Sequence, residues 1–102
     1  MVETINYSPY AKRVYSGTNT RAFVHDNGDV VYYSYATVIG VLHGKVLYEN
    51  PRWFSVTTSK HKSFMRGDAL KRGATDIREY SYEELPEEVK RHLDTFTASR
   101  WP

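Results

Sequence analysis

Cysteine is absent from this chain of 102 residues. That excludes disulfides, thiolate nucleophiles and cysteine-based zinc sites, and it fits a cytosolic protein. Long apolar runs are also missing: none approaches the roughly 20 residues that span a bilayer. The segment Met1 to Asn6 has no basic stretch followed by an apolar one. The expectation is therefore a protein without a signal peptide, cytoplasmic and with no membrane partner. The glycines of a Gly-x₄-Gly-Lys-Ser/Thr loop are lacking, so there is no phosphate-cradling P-loop. No helix-turn-helix, RNP or KH pattern occurs. The four histidines show no His-x₃-His pairing, so neither a metal nor a cofactor is expected. Repeats, low-complexity tracts and linkers are absent too.

The length corresponds to one domain over residues 1–102 with one modest core. Nine tyrosines stand out. Tyrosine suits half-buried strands, and it also suits contact surfaces. The net charge is only +2, but it is unevenly spread. From Arg52 to Arg72, Asp68 alone opposes Arg52, Lys60, Lys62, Arg66, Lys71 and Arg72. From Glu83 to Asp94 the sign reverses, with Glu83, Glu84, Glu87, Glu88 and Asp94 against Lys90 and Arg91. Such a division gives two separate surfaces, or self-complementarity within the chain or between two copies.

Residues 1–20 read as irregular. The strand-like runs Arg21–Asp26 and Asp29–Ser34 flank Asn27-Gly28, the preferred two-residue hairpin turn. That turn sets Val24 opposite Val31 and Phe23 opposite Tyr32. Apolar groups on both faces imply a hairpin covered on both sides. Thr37–Leu42 and Lys45–Tyr48 flank His43-Gly44, which sets Val41 against Val46 and Ile39 against Tyr48. Ser34 to Thr37 is expected as a turn. His25 and His43, near the hairpin tips, read as surface residues. Trp53 to Val56 reads as a last meander strand.

A helix follows over about Ser59 to Arg66, with Gly67 as its stop. Thr75 to Tyr80 reads as a short strand. Leu85, Val89, Leu93 and Phe96 give one apolar helical face over 86–96. His92 beside it reads as structural, near the helix C-terminus. Residues 97–102 read as a frayed tail that Trp101 could dock. The predicted fold is α+β: an antiparallel meander of four to five strands, with a short helix and a C-terminal helix packed on it.

The densest polar chemistry lies where the sheet hands over to the first helix. Thr57, Thr58 and Ser59 offer hydroxyls that cap orphan N–H groups. Lys60, His61 and Lys62 then fall in the first turn, where the helix dipole disfavours cations unless an anion is near. A phosphate of a nucleotide or nucleic acid resolves that conflict, and so does a carboxylate such as Glu87 or Glu88. Ligand-binding candidates are Thr57, Thr58, Ser59, Lys60, His61 and Lys62, supported by Arg52, Arg66, Lys71 and Arg72.

Ser34-Tyr35-Ala36-Thr37-Val38-Ile39, a Gly-Lys hairpin, and Trp53 through Thr57-Thr58-Ser59-Lys60-His61 resemble segments of small uncharacterised proteins from phages and mobile elements. The resemblance covers about residues 22–65. It implies a phage or plasmid product working in a host cytoplasm, and a base rate of nucleic-acid or host-protein binding, inhibitors of host defence included.

The leading expectation is a non-enzymatic module that binds nucleic acid or a nucleotide at the Thr57–Lys62 helix start. A second is a protein-interaction module or homodimer, such as an inhibitor of a host defence factor. A third is a small hydrolase or nuclease using His61 with Lys60 or Ser59.

Overall fold

Alternating apolar residues build the sheet. β1 (Thr20–Val24), β2 (Val30–Ser34), β3 (Thr37–His43) and β4 (Val46–Glu49) form an antiparallel meander. A helix, α1 (Val56–Lys71), then returns the chain, and β5 (Asp76–Glu79) joins β4 in parallel. The strand order is β1-β2-β3-β4-β5, and the fold is α+β. This computed structural model describes residues 20–35, 37–52 and 56–102, without the side chains of residues 20, 56–59 and 96. The expected irregular start, apart from Thr20, and residues 53–55 of the expected last meander strand lie outside those residues. Val56 is helical.

β2 and β3 are buried on both faces, and for β2 the two-sided apolar pattern of the first hairpin implied it. On one face Ala22, Val30, Tyr32, Ile39, Leu42 and Leu47 pack with Met65 and Ala69 of α1 and with Ala74. On the other, Val31, Val38 and Val41 pack with Leu85, Val89 and Trp101. The sheet is thus sandwiched between α1 and a C-terminal layer.

The register of the first hairpin differs from expectation. Val24 faces Val30 and Phe23 faces Val31. The turn has three residues between His25 and Asp29. The Gly28 N–H donates to the His25 carbonyl at 2.9 Å, and the His25 N–H donates to the Asp29 carbonyl at 2.8 Å. Gly28 takes φ +92°, a left-handed conformation that glycine adopts without strain. Asn27 favours this longer turn, because its side-chain oxygen accepts from the Asp29 N–H at 3.0 Å.

The second hairpin turns at Gly44-Lys45, so Val41 faces Tyr48 and His43 faces Val46. That shift is by two residues, so the expected sheet faces are kept. Ser34 pairs with Thr37, with Tyr35 in a turn between β2 and β3 as expected. A bulge in β3 opposes Tyr32 to Gly40 and Tyr33 to Val38, leaving Ile39 extra.

α1 is longer than expected. Gly67 faces open space and does not end it, because Met65 before it and Ala69 after it both pack against the sheet. The helix ends at Gly73, φ +97°. There the Ala74 N–H donates to Ala69 and the Gly73 N–H to Leu70, both at 3.0 Å. This is the paired C-terminal motif that needs a left-handed residue.

The expected helix over 86–96 is broken into α2 (Glu87–Lys90) and α3 (Thr95–Ser99). Asp94 starts α3 by accepting from the Thr97 N–H at 2.7 Å. Residues 97–102 are not a frayed tail. Trp101 is buried, its indole N–H donates to the Tyr80 carbonyl at 2.8 Å, and the Pro102 carbonyl accepts from the Tyr82 N–H at 2.6 Å. Among the described residues, no helix is long and apolar enough to cross a membrane.

Candidate functional site

Ser34 ends β2 on the side that α1 covers. His61 of α1 is buried, 1 % exposed, and its Nδ1 lies 2.7 Å from the Ser34 hydroxyl. Burial lowers the His61 pKa, so the ring is neutral at pH 7. Tyr35 follows with φ +57°, a left-handed conformation that is strained for a bulky residue. Arg21 holds this turn by donating to the Tyr35 carbonyl at 2.8 Å. The Tyr35 ring is 49 % exposed, with its centroid 5.9 Å from the His61 ring.

At the same end of the sheet, Asn50 is fully buried. Its amide donates to the Val38 carbonyl at 3.2 Å and its side-chain oxygen accepts from the Arg52 N–H at 3.0 Å. The Lys62 ammonium donates to the carbonyls of Asn50 and Arg52, at 2.7 and 3.3 Å. Burial lowers its pKa, partly offset by Glu49 and Glu79. Ser34-Tyr35 and the segment ending at His61 are therefore brought together, with Arg52 and Lys62 beside them.

The remaining candidates divide along α1. Thr57, Thr58 and Ser59 are helical in backbone, and their side chains lie outside the described set. Because α1 begins at Val56, Lys60, His61 and Lys62 fall in its second turn. The unfavourable placement of cations in a first turn therefore does not arise there, since the dipole effect fades within one turn.

Arg66 grips the buried Glu49 through two hydrogen bonds, 2.5 and 2.9 Å long, which raise its own pKa further. Arg72 pairs with Asp68 at 2.7 Å. Asp68 also accepts from the Tyr32 hydroxyl at 2.6 Å, and burial, then Asp68, pushes that hydroxyl's pKa well up. Two of the expected supporting cations thus sit on carboxylates of this chain. Lys60 and Lys71 are exposed on the outward face of α1, together with Ser63, Gly67 and Leu70.

Sequence reasoning missed a second cluster, at the opposite end of β2. The buried Asp29 takes His43 Nδ1 on one carboxylate oxygen and His92 Nε2 on the other, both at 2.9 Å. Asn27 adds a third hydrogen bond at 3.1 Å. The His25 ring lies against His92, with centroids 4.4 Å apart. His25 and His92 are therefore interior partners, where His25 had been expected at the surface. Burial pushes the Asp29 pKa up, but hydrogen bonds from His92, His43 and Asn27 together outweigh it and hold it low. Burial, then His92, lowers the His25 pKa against Asp29 and Asp26. Among the described residues, no three His, Asp or Glu side chains are placed to hold a metal ion. One available signal was the meander itself, which puts alternate hairpin tips at the same end of a sheet and so brings residues 25–29 near 43.

A family model described as a family of unknown function, DUF8033, matches residues 5–83. The chain belongs to this family. The DUF8033 span takes in all five strands and α1, and with them the Ser34–His61 pair, Tyr35, His25, Asp29 and His43. Of the two clusters, only His92 lies beyond it. No curated protein and no solved structure matches the chain.

Proposed function

We propose that this DUF8033 chain is a non-enzymatic binding protein for a phosphate-bearing ligand with an accessible base, single-stranded nucleic acid or a nucleotide. The ligand binds at the end of the sheet where Tyr35 meets the N-terminal half of α1. The observation that carries the reading is Tyr35. Among the described residues only Tyr35 and Leu70 are large apolar side chains left exposed, and the Tyr35 backbone is held left-handed beside a basic helix. Strain of that kind, maintained by surrounding bonds, is a mark of functional positions. An exposed ring offers a base a stacking platform, and the exposed Arg52, together with Lys60 one residue before His61, offers charge to phosphate. The resemblance to phage and mobile-element proteins fits such a ligand in a host cytoplasm.

Anisotropy of short labelled single-stranded RNA and DNA tests this. Two phosphate contacts predict a slope of log affinity against log salt of about −1.4. Tyr35→Ala should weaken binding by about 1–3 kcal/mol, the worth of one stacked base. Absence of binding at low salt, or equal affinity for Tyr35→Ala, rejects the proposal.

Leu70, 59 % exposed on the outward face of α1, favours one second reading, a protein-docking or dimer surface on that helix. Light scattering tests it: a stable dimer lost in Leu70→Glu supports it, and a monomer at all concentrations removes the dimer. The expected hydrolase use of His61 gains no support from its buried position against Ser34.

A further inference from the structure

We propose that His25, Asp29, His43 and His92 form an acid-sensitive latch that fastens the C-terminal layer, residues 85–101, onto the sheet. The fastening is local. Asp29 belongs to the β1–β2 hairpin and His43 to the end of β3, whereas His92 lies in the connection between α2 and α3. The Asp29–His92 bond is thus a polar tie between the sheet and the layer that covers Val31, Val38 and Val41.

The ionised Asp29 takes one N–H from each of His43 and His92. His25, the third ring of the cluster, has no such partner, and a proton that reaches it in acid meets a different environment. His25 is buried, its Nδ1 has no hydrogen-bond partner, and its ring rests on that of His92. A cationic His25 ring held there has neither water nor a hydrogen-bond partner at Nδ1.

The other charges in the setting relieve this only in part. Asp29 and Asp26 favour a charged His25, Asp26 from an exposed turn, but burial and His92 outweigh them. On the C-terminal layer, Lys90 lies over the Tyr82 ring, Arg91 is exposed, and Asp94 faces Tyr33. Withdrawal of His92 opens the His25 ring to water, and the layer lifts with it. Uncovered, Val31, Val38 and Val41 present an apolar face.

Amide hydrogen exchange on the full chain, compared at about pH 7.5 and about pH 5 after correction for intrinsic rates, tests the latch. The N–H groups to follow are those of Val89, His92 and Leu93, which donate to Pro86, Val89 and Lys90. Their exchange should accelerate by about tenfold or more in acid while Val31 and Val41 stay protected. His25→Phe should abolish the acceleration. The proposal is overturned if Val31 and Val41 lose protection in step with residues 89–93, or if His25→Phe responds to acid as the unaltered chain does. Should His25→Phe fail to fold, His25→Gln is read by the same criteria.

Discussion

Gly40→Ala puts one methyl group into the closest approach between α1 and the sheet. A Cβ at this position overlaps the Met65 sulfur, lies 3.0 Å from the Met65 methyl and 3.3 Å from the Tyr48 carbonyl oxygen. Met65 is fully buried, so its thioether has no solvent to swing into. Overpacking of this kind costs about 1–3 kcal/mol. Alanine also restricts the unfolded chain, which returns about 0.4–1 kcal/mol. The net expectation is a loss of about 1–2 kcal/mol, and each 1 kcal/mol lowers Tm by about 4–8 °C in a domain near this size.

Urea unfolding followed by circular dichroism measures the loss. A second background makes the cause specific. Met65→Ala alone should cost about 2–5 kcal/mol through the cavity it leaves. Adding Gly40→Ala to it should then be neutral or stabilising, because the new methyl group enters that cavity. A Gly40→Ala cost that is the same in both backgrounds, or no cost in the first, would refute the packing argument. The same contact sets how closely α1 approaches β3, and so where His61 meets Ser34.

Gly67→Ala should stabilise the chain by about 0.5–1 kcal/mol in urea, since nothing lies within 4 Å of the added Cβ. Destabilisation would show that the outward face of α1 is closed off. Trp101→Ala should cost about 3–5 kcal/mol; a cost near zero by the same assay would mean that the C-terminal residues contribute little to the fold. Acid should destabilise the protein through His25 and His61, whose pKa values are lowered from 6.5. The unfolded chain binds more protons below 6.5, so stability is fully present above that value and falls as pH drops toward the folded values. Thermal melts from about pH 7.5 to about pH 5 should show this decline, shallower in His61→Phe, and a flat profile would contradict it.

The α+β class was legible because strand alternation and turn residues are local signals. The registers were less so. Asn27-Gly28 signalled a hairpin, but the Asn27 side chain favoured three turn residues over two, and a one-residue slip changed the pairing of β1. At Gly44 a two-residue slip left the faces unchanged. Gly67 resembled a helix stop because sequence does not show the sheet against which Met65 and Ala69 pack. At the candidate site, the stretch that holds His61 stood out in sequence as a polar cluster, whereas Ser34 was read only as the start of a turn and as part of the family resemblance. Their meeting depends on α1 lying over β2. The exposure of Tyr35 and the pairing of Arg66 with Glu49 are tertiary outcomes with no local signature. The role of His92 depends on how the chain after β5 returns to the sheet.

The bulge in β3 also bears on how chains of this family compare in length. Val38 and Val41 share a face although they are three positions apart, and only the extra Ile39 permits it. In alignment terms Ile39 is a supernumerary position. A family member one residue shorter here would keep the orientation of every flanking side chain and would give up only the isoleucine. A gap one position later would remove Gly40 instead and bring a Cβ under the Met65 sulfur. Indels in this strand should therefore fall on one side of a single residue boundary, and their place can be read from whether the glycine survives.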